Sequence, residues 1–227
     1  MAARKKASKM GEVRSGFGKW LLPVAFLLTA GCATVKIPPP DALGYTGRGI
    51  AYMKKGEYDQ AISYLDKALA IYPKYAEAYF NRGVVYERKG QHDQAISDYT
   101  KALEINPRDA EAYINRGVIY ERKSQYDQAI SDFTKALEIN PRDALAYSNR
   151  GAAYRRKGQY ELAVSDHTKG LEINPRNAFA YSNRAIAYYH LKDYDKAWED
   201  VYKAQGLGYQ IHPVFLDDLR RASGTKR

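Results

Sequence analysis

The sequence has little of the chemistry on which disulfide-stabilised, metal-dependent or catalytic proteins rely. Its 227 residues include one cysteine and four histidines, and no histidine lies in a spacing typical of metal ligands. A single cysteine excludes an intramolecular disulfide and a cysteine-based zinc knuckle. There is also no Ser/His/Asp or Cys/His arrangement and no glycine-rich phosphate loop. We therefore expect a protein that is not an enzyme and that holds no metal and no cofactor.

Positive charge is in excess, but half of the excess lies at one end of the chain. The net charge is +10, and residues 1–31 contain six basic residues against one acidic residue. The remainder of the chain is only mildly basic, which does not favour nucleic acid as a partner. RNA binding through basic helices is an alternative that this weak charge argues against.

A short apolar segment near the N-terminus predicts export. Residues 20–30 are eleven uncharged, mainly apolar residues that follow a basic stretch. A segment that spans a bilayer needs about 20 apolar residues, whereas the shorter length is typical of a signal peptide. The segment ends in LTAGC at residues 28–32, which resembles the lipobox of bacterial lipoproteins, with Thr29 where that family usually has leucine. The resemblance implies a signal peptide at residues 1–31 and a lipid on Cys32.

The same resemblance predicts where the chain resides. Residues 32–41 would form a lipid-anchored tether, stiffened by three consecutive prolines at residues 38–40. Ala33 follows the cysteine, and in lipoproteins of two-membraned bacteria this favours transfer to the outer membrane. We therefore expect a protein of the cell envelope, lipid-anchored at the outer membrane and facing the periplasm. The alternatives are an uncleaved N-terminal membrane anchor, with the rest of the chain outside the cytoplasm, and a Cys32 without lipid.

A period of 34 residues organises the rest of the chain. Residues 92–110 and 126–144 differ at two positions only, and prolines recur at this interval at Pro73, Pro107, Pro141 and Pro175. One unit supplies an aromatic, a small residue, a tyrosine, an alanine, an aromatic, an alanine and a proline, namely Tyr79, Gly83, Tyr86, Ala95, Tyr99, Ala102 and Pro107. This pattern resembles the tetratricopeptide repeat (TPR). The units are residues 42–75, 76–109, 110–143, 144–177 and 178–211.

The resemblance implies an all-α fold, a right-handed α-solenoid of five TPR helix-turn-helix repeats. Apolar residues on one face of residues 212–222 predict a C-terminal capping helix, followed by a tail at residues 223–227. Glycines are predicted to end first helices in a left-handed conformation, at Gly56, Gly90 and Gly158. Polar residues are predicted to cap the next first helices, at Asp41, Asp109, Asp143 and Asn177, and Tyr75 breaks this pattern.

TPR solenoids curve, and their first helices line the concave side. One row of residues there is Asn81, Asn115, Asn149 and Asn183. Because an amide both donates and accepts hydrogen bonds, such a row can hold the backbone of an extended peptide. The alternative is that these asparagines only belong to a common Asn-Arg-Gly variant of the repeat.

Two further rows follow the same spacing. The apolar row is Ile50, Phe80, Val84, Ile114, Val118, Ala152, Phe179 and Ile186, and we select Phe80 and Ile114 as groove residues, with core packing as the alternative. The basic row is Lys54, Arg88, Arg122, Arg156 and His190. We include Arg88, Arg122 and Arg156 in the candidate groove because cations could meet an acidic ligand. The competing interpretation is that these cations complement the helix dipole in the last turn.

Two other repeated residue types predict structure rather than binding. Arginines recur at Arg82, Arg116, Arg150 and Arg184, and aspartates at Asp98, Asp132, Asp166 and Asp200. We expect an ion-pair ladder between repeats. The lysines with which some TPR modules clamp a C-terminal carboxylate are absent, since one such lysine position holds Thr46, Phe80, Ile114, Ser148 and Ser182.

Together these features predict a non-catalytic protein–protein interaction scaffold at the bacterial cell envelope. Its partners would be proteins whose extended segments lie in the concave groove, and the membrane would be reached through the N-terminal lipid. A cell-wall or glycan-binding module and a regulatory subunit of an envelope enzyme are the alternatives. The oligomeric state is not predicted.

Overall fold

The computed structural model describes residues 37–224, and their regular structure is entirely α-helical. The helices are α1 (Pro40–Lys55), α2 (Tyr58–Ile71), α3 (Ala76–Arg88), α4 (His92–Ile105), α5 (Ala110–Arg122), α6 (Tyr126–Ile139), α7 (Ala144–Arg156), α8 (Tyr160–Ile173), α9 (Ala178–His190), α10 (Tyr194–Gly206) and α11 (Pro213–Ser223). The predicted signal peptide, the lipid site at Cys32 and most of the predicted tether lie outside the described residues. None of the helices in residues 37–224 has both the length and the apolar character needed to span a membrane.

The helices α1 to α10 form consecutive pairs that stack in a row. Each first helix packs on its own second helix, as α3 does on α4, and each second helix also packs on the next first helix, as α4 does on α5. Contacts therefore run between neighbours along the chain, which is the arrangement of a solenoid. The prediction of an all-α solenoid of helix pairs is confirmed.

A residue with positive φ follows every first helix. The predicted glycines have this conformation, with φ of 79° at Gly56, 74° at Gly90 and 75° at Gly158. The same conformation occurs at Ser124 (59°) and Lys192 (62°), which the sequence did not indicate. An L-residue there is strained because its Cβ approaches the following carbonyl oxygen. The turn between the two helices of a pair is therefore retained even without glycine.

The predicted N-caps are confirmed for three first helices and wrong for one. The side-chain oxygen of Asp109 accepts from the Ala112 amide at 3.0 Å, Asp143 caps α7 and Asn177 caps α9 in the same way. Asp41 lies inside the first turn of α1, because the helix already begins at Pro40. Proline suits this first position, since its φ is helical and its missing N–H would have no partner there. The boundary predicted between tether and repeat after residue 41 is therefore two residues too late.

Small residues of the first helix make room for a large side chain of the second helix. A Cβ added to Gly83 would lie 2.9 Å from the Tyr99 ring, and one added to Gly117 would lie 2.7 Å from Phe133. Both rings are fully buried. Since such contacts are shorter than packed atoms tolerate, glycine is required at this point of the repeat. The close approach predicted here is thus between a backbone and a ring.

The last helix takes the place of a further first helix. Phe215 and Leu219 follow Tyr181 and Ala185 by one period of 34 residues. Leu219 is fully buried, and the Phe215 ring meets Tyr189 edge-on with 5.6 Å between ring centroids. Helix α11 therefore covers the apolar side of the last pair, as predicted for a capping helix.

Candidate functional site

The first helices line the inner side of the solenoid. Consecutive first helices contact one another from α1 to α9, whereas within residues 37–224 consecutive second helices make no comparable contact. The row of helices that lies closer together forms the inner side of a curved stack. We use "inner face" for the first-helix residues in register with Glu77, Phe80, Asn81, Val84 and Glu87, which lie opposite the buried Ala78 and Val85.

Three of the four predicted asparagines lie half-buried on this inner face. The amide of Asn81 donates to the Glu77 carbonyl at 2.8 Å, one turn earlier. The amide of Asn115 lies within hydrogen-bonding reach of the Tyr99 hydroxyl. Asn149 makes no side-chain hydrogen bond within the part of the chain that the structure describes. Each side chain thus retains amide atoms for a ligand, and contact with a peptide backbone stays a prediction.

Asn183 differs from the other three. It is only 4% exposed, its side-chain oxygen accepts from Arg155 Nε at 3.0 Å, and its amide donates to the Phe179 carbonyl at 2.9 Å. Both ends of the side chain are therefore used inside the protein. Asn183 positions Arg155 and does not present a free amide to a ligand.

The predicted apolar row is divided between the core and the inner face. Ile114 is buried in a cluster with Phe133, and Phe80 is half-buried with its ring 5.8 Å from that of Tyr99. Phe179 is instead 44% exposed, and Leu145, in the same register one period earlier, is 56% exposed. Exposed apolar surface on the inner face therefore lies in the last two pairs, on α7 and α9.

The predicted basic row lies at the exposed ends of the first helices. Arg122 donates to Glu87 Oε1 at 3.1 Å, and Arg156 Nε lies 3.9 Å from Glu121 Oε1. Each glutamate belongs to the preceding first helix, so these pairs connect neighbouring repeats. Arg88 ends α3 in the corresponding place. All three cations also complement the negative end of a helix dipole, as the competing interpretation stated.

The Arg–Asp ladder exists, but its ion pairs lie within repeats and not between them. Arg150 Nε and Nη2 donate to the two Asp166 oxygens at 2.6 and 2.9 Å, and these bonds raise the pKa of Arg150. The link to the preceding repeat is a third bond, from Arg150 Nη1 to Thr134 Oγ1 at 3.0 Å. The same set recurs in other repeats as Arg116 with Asp132 and Thr100, and as Arg184 with Asp200 and Thr168.

These arginines also explain much of the tyrosine content. Arg82 Cζ lies 5.5 Å from the centroid of the Tyr79 ring and 5.9 Å from that of Tyr86. Equivalent pairs of tyrosines flank the other three arginines of the ladder. A guanidinium between two aromatic faces gains cation–π attraction, which is worth about 0.5–1 kcal/mol or more per ring. The ladder is therefore satisfied within the protein and offers nothing to a ligand.

A groove opens at the C-terminal end of the inner face. Its volume is about 740 Å³, and it lies between α9, the end of α10 and the segment that leads into α11. Its lining includes Arg155, Phe179, Ile186, Gln205 and Phe215. Phe179 and Ile186 were part of the predicted apolar row, whereas Arg155 was missed by sequence reasoning.

The charge at Arg155 departs from the repeat. The residues in the same register are Glu87 and Glu121, one and two periods earlier. This reversal of sign was the available signal, because a period of 34 makes any exception visible. Burial and the neighbouring cation Arg156 lower the pKa of Arg155, and its Nε–H is bound to Asn183.

No cluster of metal ligands is found here. Among residues 37–224, no three His, Cys, Asp or Glu side chains converge on a point where a metal ion could be held. What the groove provides is an apolar wall, side-chain amides and one half-buried cation. Such a set can bind a ligand by contact and hydrogen bonding.

Comparison with solved structures gives similar folds. MamA shares 27% identity at a TM-score of 0.68, over 70% of this chain and 94% of that one. MamA 41-end from Desulfovibrio magneticus RS-1 shares 20% at 0.71, over 76% and 97%. YrrB, described as a TPR protein with an unusual peptide-binding site, shares 24% at 0.69, over 82% and 93%. None of the curated proteins compared with the chain matches it.

Family models described as tetratricopeptide repeat match most of the helical region. The matched residues are 41–108, 110–143, 144–177 and 168–199. These matches cover more than half of the chain and include all helix pairs from α1 to α9. The chain therefore belongs to the tetratricopeptide repeat family.

Proposed function

We propose that this chain is a non-catalytic scaffold, anchored at the bacterial cell envelope, whose inner face holds extended segments of partner proteins. The observation that carries the proposal is the groove at the C-terminal end of the inner face, with Phe179 exposed beside it. Exposed apolar side chains on a concave surface are typical of interaction sites. The tetratricopeptide repeat fold supports a protein partner, and YrrB is an example of this fold with a peptide-binding site.

The proposed location depends on the N-terminal residues. The basic stretch, the short apolar segment and LTAGC at residues 28–32 support export and lipid attachment at Cys32. A lipid with two or more acyl chains anchors a protein stably, whereas a single chain binds only marginally. We propose attachment at the outer membrane with the repeats facing the periplasm.

The scaffold function is tested by photo-crosslinking in cells of the native host. A photoreactive amino acid at position 179 should capture protein partners, because Phe179 lies on the inner face. The matched control is position 202 on α10, since Tyr202 has nearly the same exposure, 48% against 44%, but lies on a second helix. We expect discrete protein adducts from position 179 and a severalfold lower yield from position 202. Equal adducts from both positions, or capture of cell-wall glycan and no protein, would contradict the proposal.

A further inference from the structure

One cation on the inner face lacks a counter-ion. A guanidinium has five N–H groups, and that of Arg155 uses Nε–H in a single bond of 3.0 Å to Asn183. Its remaining N–H groups meet no acceptor, and no carboxylate lies within ion-pairing distance, in the part of the chain that the structure describes. The neighbouring Arg156 has Glu121 at 3.9 Å, and Arg150 has Asp166 at 2.6 Å. Arg155 is therefore a half-buried charge with unused donors.

The protein holds this guanidinium in a fixed place. Asn183, itself only 4% exposed, accepts from Arg155 and donates to the Phe179 carbonyl at 2.9 Å. The side chain that would otherwise read a peptide backbone is thus used to orient the arginine. A positioned guanidinium binds a carboxylate with two parallel hydrogen bonds, and it loses little side-chain entropy in doing so.

The surroundings of Arg155 define what else the ligand must contain. Phe179, Ile186 and Phe215 form apolar walls, and Gln205 adds an amide. A carboxylate alone would leave these walls in contact with water. The volume of about 740 Å³ is within the range of pockets that enclose one small ligand, so a few side chains of a segment could enter.

We propose that the groove at Arg155 recognises an acidic side chain, aspartate or glutamate, next to an apolar residue in an extended segment of a partner protein. The carboxylate binds the free N–H groups of Arg155, and the apolar neighbour covers Phe179 and Ile186. This inference rests on the proposed function, since it names the segment that the scaffold selects. It also explains why this repeat has an arginine where Glu87 and Glu121 stand in earlier repeats.

The test uses the purified full chain in detergent and two arrays of N-acetylated, C-amidated nine-residue peptides. In one array a central aspartate or glutamate is flanked by all combinations of Phe, Leu and Ile, and in the matched array asparagine or glutamine replaces the acid. The wild-type chain should bind members of the acidic array at least tenfold more tightly than their matched amides. Arg155→Gln and Arg155→Glu should abolish this preference. The glutamate variant restores the residue type of earlier repeats, and circular dichroism checks that both variants fold.

Arg156→Gln is the matched control, because Arg156 is the exposed neighbour on the same helix end. Its acidic preference should remain within twofold of the wild-type value. Equal binding to both arrays, no binding to either, an equal loss in Arg156→Gln, or binding only to peptides with a free C-terminal carboxylate would overturn the inference. If partners still crosslink to position 179 in Arg155→Gln with unchanged yield, the inference fails while the scaffold function stands.

Discussion

Among single residues, His167 shows the effect of a polar ring in an aromatic position. It occupies the place of Tyr99 and Phe133 in earlier repeats, is fully buried and packs against Gly151. Neither ring nitrogen has a hydrogen-bond partner in the described part of the chain. Burial, with Arg155 and Arg184 nearby, lowers the pKa of His167 from 6.5 to about 3. The neutral ring is tolerated, but a charged one is not.

This burial predicts that the protein loses stability in mild acid. In the unfolded chain His167 binds a proton near pH 6.5, whereas in the folded chain it stays neutral down to about pH 3. Stability is therefore full above pH 6.5 and falls steadily as the pH decreases toward 3. Between pH 7 and pH 5 the free energy of unfolding should decrease by about 2 kcal/mol from this residue alone.

Urea unfolding followed by circular dichroism at pH 7 and pH 5 measures this effect in wild-type and His167→Phe. The phenylalanine variant should lose most of the decrease and should also be more stable at pH 7 by about 1–3 kcal/mol, since two unpaired polar atoms leave the core. His212→Asn, at an exposed histidine, is the control and should keep the wild-type decrease. Identical decreases in wild-type and His167→Phe would show that His167 is not responsible.

Residues of this kind mark the limit of prediction from the sequence. The three glycines with positive φ could be predicted, because glycine favours that conformation. Ser124 and Lys192 could not, since neither residue type indicates a left-handed turn. Their conformation follows from the packing of the two helices that they join. The period of 34 residues, and not the local residue type, is what identifies those two turns.

At the scale of elements, the helices could be predicted more fully than the contacts between them. The repeat placed each helix to within about two residues, as boundary assignments generally allow. It did not decide which aspartate pairs with Arg150, because Asp132 and Asp166 both recur with the same period. Packing settles the choice in favour of Asp166 on α8, and the third hydrogen bond goes to Thr134 on α6. A single side chain of α7 therefore joins two neighbouring helices.

Helix α11 is predicted to act as an energetic cap for the last pair. Leu219→Ala removes a fully buried side chain and should destabilise the protein by about 2–5 kcal/mol through lost burial and a residual cavity. Val214→Ala on the same helix is the control, because Val214 is 59% exposed and its loss should cost less than about 0.5 kcal/mol. Thermal unfolding of the three proteins measures the difference. Equal midpoints for Leu219→Ala and wild-type would mean that α11 is an attached tail.

At the scale of the whole molecule, periodicity predicted the curve of the solenoid and the face that a ligand would use. The predicted groove residues are partly redistributed by packing, since Ile114 is buried and Asn183 is used to hold Arg155. The strongest candidate site lies where the repeat is broken, at Arg155 and beside α11. A repeat pattern predicts what all units share, so a site made from the exceptions becomes visible only when neighbouring helices are placed together.

The last prediction concerns how the whole molecule is held at the envelope. If Cys32 carries the lipid, Cys32→Ser should abolish incorporation of radiolabelled fatty acid and leave the precursor uncleaved, because the thiol is both the attachment point and the residue before which cleavage occurs in the family that LTAGC resembles. The variant should then keep its apolar segment, residues 20–30, and run as a larger species on a denaturing gel.

Thr29→Leu is the matched control for this experiment, since it brings residues 28–32 closer to the usual lipobox and should label at least as well as the wild-type chain. A wild-type chain that takes up no label and is recovered in the soluble fraction would contradict lipid anchoring. A wild-type chain that takes up no label but stays in the membrane fraction, at precursor size, would instead support the uncleaved anchor. The inner face and its groove would be unaffected by either result, because both depend only on residues 37–224.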